Sequence, residues 1–129
     1  MSYQLHHELK TDYLFVKVSG PRTFDNVIAI SKEIIKLSIK YDASAVLLEI
    51  SELEGRLSLL NSWSLVTEDL EYIRKLNIPI KKLALVDTNK YQEGYDFFET
   101  IAYNRGYLLK VFENINLAID WICQDKNIQ

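Results

Sequence analysis

The sequence predicts an α/β architecture, a mainly parallel sheet of about five strands opened by a β-hairpin and covered by about four helices. Three observations carry this expectation. Short apolar runs recur at Ala45–Ile50, Lys82–Val86 and Leu108–Phe112. Stretches of helical periodicity precede, separate or follow them, at Thr23–Tyr41, Asn61–Leu76, Asn89–Arg105 and Asn116–Asp125. Ahead of all these, Tyr3–Glu8 and Tyr13–Ser19 are rich in aromatic and β-branched residues and flank the polar turn Lys10-Thr11-Asp12.

In the second strand Leu14, Val16 and Val18 point one way, and Phe15 and Lys17 the other. Gly20-Pro21 is expected to end it. Thr23 has the hydroxyl an N-cap needs, with Pro21 just outside the first turn. From there Val27, Ile30, Ile34, Ile35, Leu37 and Tyr41 share one helical face, while Lys32, Lys36 and Lys40 form a solvated stripe opposite. Phe24, Ile28 and Ile39 widen the apolar face beyond what one sheet contact needs, which predicts a homodimer. Ala45–Ile50, apolar except for Glu49, reads as a strand covered on both faces, and Lys82–Val86 and Leu108–Phe112 read alike. Right-handed crossovers between such strands give a parallel sheet. Gly106 suits the left-handed residue that ends the third helix, and Asn114 or Asn116 caps the fourth.

Composition bounds the function. The 129 residues, 48% hydrophobic and 26% charged, fit a single globular domain over residues 1–129. Fifteen basic against eighteen acidic residues give a net charge of -3, so nucleic acid is not an expected partner. One cysteine, Cys123, excludes an internal disulfide and any multi-cysteine zinc site. No apolar run reaches the ~20 residues of a membrane span. The N-terminus lacks the basic and apolar regions of a signal peptide, and a cytoplasmic location is expected.

Few residue patterns carry chemistry. His6 and His7 are adjacent in a strand, point to opposite faces and cannot easily share a metal ion. Cys123 has no histidine near it in sequence to activate it. Neither a Gly-x-Gly-x-x-Gly loop nor a Walker lysine motif occurs, so no cofactor is expected. Glu49, Ser51 and Asp87-Thr88-Asn89 fall at strand carboxyl ends, where open parallel sheets bind ligands. A hydrolase or transferase would be built there, although Asp87, Thr88 and Asn89 are also residue types that cap helices. Tyr91, Tyr95 and Phe98 lie on one face of the third helix, and either pack the core or, with Trp63, wall a cavity for an apolar, lipid-like ligand. Leu57, Leu59 and Leu60, read as a loop, would be its mobile edge. The acidic residues Glu49, Glu52 and Glu54 beside those leucines instead suit a basic or amphipathic protein partner. This last reading is preferred, because a large empty cavity costs a small core packing energy, roughly 24 cal/mol per Å³.

Four stretches bear a family likeness. Val46-Leu47-Leu48-Glu49-Ile50-Ser51, the following Leu53-Glu54-Gly55, Lys82-Leu83-Ala84-Leu85-Val86-Asp87, and Lys110-Val111-Phe112-Glu113 through Ala118-Ile119-Asp120-Trp121-Ile122 resemble, in this order and spacing, the STAS superfamily. The chain is similar to its SpoIIAA-like branch, which is grouped with CRAL-TRIO-type lipid carriers. That resemblance implies a small non-enzymatic regulatory domain. In anti-anti-sigma factors an Asp-Ser-(Ser/Thr)-Gly step at the second helix is switched by serine phosphorylation. Here the place reads Asn61-Ser62-Trp63-Ser64, which keeps only the serine, so the implied phosphoserine switch is degenerate. Ser62 is expected to serve as a plain N-cap.

Overall fold

The computed structural model describes residues 2–55, 59–88 and 99–124, and within the second helix the side chains of residues 64, 67–69 and 71–75. The chain runs β1 (Gln4–Leu9), β2 (Leu14–Pro21), α1 (Phe24–Tyr41), β3 (Ala45–Glu54), α2 (Leu59–Lys75), β4 (Lys82–Val86), α3 (described over residues 99–104), β5 (Leu108–Phe112) and α4 (Ile115–Cys123). The five strands form one sheet in the order β1-β2-β3-β4-β5. β1 and β2 are antiparallel, and every later neighbour pair is parallel.

Strand order equal to chain order has a geometric result. Each right-handed crossover steps the same way across the sheet, so α1, α2 and α3 all lie on one face. There Leu14, Val16 and Val18 of β2 and Val46 and Ile50 of β3 pack against Ile30, Ile34 and Ile35 of α1 and Ile73 of α2. Ile101 and Ala102 of α3 pack with Tyr107 and Leu109. The other face is left to α4, which lies on β3, β4 and β5 and closes Ala45, Leu47, Ala84 and Val86 under Ala118 and Ile122.

Local chemistry sets the helix ends. The Thr23 hydroxyl accepts the Asn26 N–H at 3.1 Å. Asp42 takes a left-handed conformation (φ 51°) after α1, and the Ala43 N–H returns to the Ser38 carbonyl at 2.9 Å. Asn114 caps α4 through the N–H groups of Asn116 and Leu117, which decides between the two candidate asparagines. Gly106 (φ 87°) ends α3 as expected.

The structure corrects three expectations. Gly20-Pro21 does not end β2, because both residues pair with β3, opposite Leu53 and Glu54. Even-numbered β2 residues bond toward β3, as the Arg22 N–H to the Glu54 carbonyl does. The Pro21 nitrogen therefore faces the β1 side, beyond the start of β1, and no ladder bond is lost. β3 likewise continues past Ile50 to Glu54. α2 starts at Leu59, so Leu59 and Leu60 are helical and Ser62 lies inside the first turns instead of capping them. Leucine's high helix propensity favours that earlier start.

Candidate functional site

The carboxyl ends of β2, β3 and β4 meet at one end of the sheet. Lys17 pairs with Glu49 and Ser19 with Glu52, so β3 carries one residue more than β2 over that interval. Such a bulge bends and further twists the strand that carries it. The Ser51 hydroxyl accepts the Thr88 N–H at 2.9 Å, tying the end of β3 to the segment leaving β4. The Glu49 carboxylate turns back on its own strand and accepts the Ser51 N–H at 2.7 Å.

Beneath these contacts lies a charge pair. Asp87 is completely buried, and its Oδ2 stands 3.6 Å from the guanidinium of Arg22, itself mostly buried. The same guanidinium lies 3.5 Å from the Ile50 carbonyl. Arg22 thus links the ends of β2, β3 and β4. Sequence reasoning missed it, although β2 is also parallel to β3 and its carboxyl end obeys the same rule that singled out Ser51 and Asp87. The signal was present in the position of Arg22 just after Pro21.

The expected acidic surface is present in part. Glu52 is exposed and ion-paired with Lys17 at 3.1 Å, and Glu54 is exposed. Glu49 is half-buried with its carboxylate turned to the Ser51 N–H. Leu57, Tyr91, Tyr95 and Phe98 lie outside the described residues, as do the side chains of Ser62 and Trp63, so the expected aromatic wall is not among the described features. A groove of about 340 Å³ opens elsewhere, along the outer edge of β5 between α3 and α4. Tyr103, Tyr107, Leu108, Leu109 and Trp121 line it, with Glu99 and Lys110.

Three polar side chains outside this end hold elements together. Lys82, buried in β4, donates to the Trp121 carbonyl at 2.7 Å and lies 4.4 Å from the centre of the Trp121 ring, so it anchors the last turn of α4. The Tyr3 hydroxyl donates to Glu33 at 2.7 Å and fastens the start of β1 to α1. Asp69 on α2 is pushed up to about 6, chiefly by burial, with the neighbouring Glu68 adding to the rise and a hydrogen bond from Ser31 of α1 opposing it. His7 lies 3.4 Å from the Tyr41 hydroxyl on the α1 side of the sheet, and alternation sends His6 to the other. Among the described residues no three histidine, cysteine or acidic side chains gather as a metal site, and no helix is long and apolar enough to cross a membrane.

No protein-family model matches the sequence, and no curated protein matches it significantly. Solved structures do. An uncharacterized protein from the DUF3478 family with a SpoIIAA-like fold, from Shewanella loihica PV-4, is 22% identical and superposes with a TM-score of 0.58 over 95% of this chain and 94% of that one. An anti-sigma factor antagonist from Mycobacterium paratuberculosis is 13% identical, with a TM-score of 0.57 over 94% of each chain. With its five-stranded, mostly parallel sheet and these matches, this chain has a SpoIIAA-like fold.

Proposed function

We propose that the chain is a non-enzymatic regulatory module that binds a basic or amphipathic protein segment at the carboxyl end of its sheet. The observation that carries this reading is how the polar groups there are used. The Ser51 hydroxyl accepts a main-chain N–H, Glu49 accepts another, and Asp87 is buried against Arg22. These contacts use the polar groups to join strand ends. Among the described residues there, two exposed side chains are acidic, Glu54 and the Lys17-paired Glu52. The likeness to an anti-sigma factor antagonist supports a regulatory role. With only the serine of the switch motif kept at Asn61-Ser62-Trp63-Ser64, binding is proposed to proceed without phosphorylation.

The test is titration with a labelled basic amphipathic peptide. Binding that weakens roughly tenfold in Glu52→Lys and Glu54→Lys, and that is absent for an acidic peptide of equal length, supports the reading. A lipid-like ligand retained in native mass spectrometry would replace it with the carrier alternative. Stoichiometric phosphate on Ser62 in protein from its native cells would restore the switch.

A further inference from the structure

The two edges of the sheet are built differently. In β5 the Leu108 N–H bonds to Lys81 and the Phe112 carbonyl accepts from Asp87, so even-numbered residues face β4 and the main chain of Leu109 and Val111 faces outward. Glu99 covers that edge, because its carboxylate accepts the Val111 N–H at 2.8 Å. β1 is the opposite case. The Lys10 N–H bonds to the Tyr13 carbonyl, and the register sets Glu8 against Phe15, His6 against Lys17 and Gln4 against Ser19. Alternation turns the main chain of those even-numbered residues toward β2 and that of Leu5, His7 and Leu9 outward. β1 contains no proline, glycine or bulge to blunt that edge.

We infer that β1 is a homodimer interface, pairing antiparallel with β1 of a second copy about a two-fold axis at His7. Within the strand only this register gives every outward residue a partner. His7 exchanges hydrogen bonds with the partner's His7, and Leu5 with the partner's Leu9. The side chains agree. Leu9, an exposed leucine at 51%, comes to lie beside the partner's Leu5. On the other face His6 stands opposite the partner's Glu8, imidazole against carboxylate, in the closer non-hydrogen-bonded position. Moving the axis to Glu8 would oppose two carboxylates, and moving it to His6 would oppose two imidazoles. The Glu8 carboxylate already pairs with its own Lys10 at 3.1 Å, and the axis at His7 adds an imidazole beside that pair without setting two carboxylates together. This interface is distinct from the α1 face that the sequence suggested, and it is independent of the proposed partner site at the carboxyl end.

Sedimentation velocity across a concentration series tests it on the full chain. The unmodified protein is expected to show a reversible dimer. His7→Pro removes an N–H that points away from β2, so it should weaken the dimer roughly tenfold or more while circular dichroism stays unchanged. His6→Glu sets like charges across the axis and should also dissociate it, and His6→Glu with Glu8→His exchanges the pair and should restore it. If His7→Pro disturbs the fold, the charge variants decide. A monomer at every concentration, or a dimer undiminished in His6→Glu, overturns the inference.

Discussion

Arg22 and Asp87 are far apart in the chain and meet only because β2, β3 and β4 end side by side. A completely buried carboxylate is costly to hold charged, and this pair offsets part of that cost, so removing either charge should be destabilising. Arg22→Met and Asp87→Asn should each lower the denaturant midpoint strongly, and the double variant should cost clearly less than the sum of the two. Additive losses would show that the pair is not coupled. The pair also marks what could be read from sequence at this scale. The caps Thr23 and Asn114 were legible because a cap is a contact between near neighbours in the chain. Arg22 with Asp87, and Lys82 under Trp121, were not, since such pairings exist only once the sheet has set its register.

At the scale of elements, the alternating pattern of strands and helices was legible because hydrophobic period depends on local residues alone. The continuation of β2 was not. Gly20 and Pro21 carry the chemistry of a break, yet parallel pairing with β3 extends the strand through both. Gly20 has its own reason to be there. Its φ is 119°, and a Cβ would lie 3.0 Å from the Tyr3 Cα, where the start of β1 crosses it. Gly20→Ala should cost about 1–3 kcal/mol and loosen the Tyr3–Glu33 contact. Hydrogen exchange should then rise first at the start of β1; protection left unchanged there would contradict this account.

For the whole molecule, stability should depend on pH through the contact between α1 and α2. The folded value of Asp69, about 6, lies above the ordinary 3.8, so the folded state holds its proton more tightly than the unfolded chain. This carboxyl's contribution is fully present below 3.8 and is lost as pH rises through 6. At neutral pH the penalty is at most about 3 kcal/mol. Asp69→Asn should raise the thermal midpoint above pH 6 and change it little near pH 4, which a pair of melting curves checks. An equal shift at both pH values would mean that the carboxylate is not penalised.

The equality of strand order and chain order also bears on how the protein is made. A strand leaving the ribosome finds its sheet neighbour already synthesised, because each strand pairs with the one before it. Each parallel pair still closes only over a whole crossover, as Leu14 does with Val46 and Val46 with Leu83, and such non-local pairing is slow. Growth is orderly on the helical side, where α1, α2 and α3 arrive in turn. It is not on the other side. Ala45, Leu47, Ala84 and Val86 await α4, near the end of the described chain, so a nascent protein halted before Ile115 would present an apolar sheet face to its surroundings.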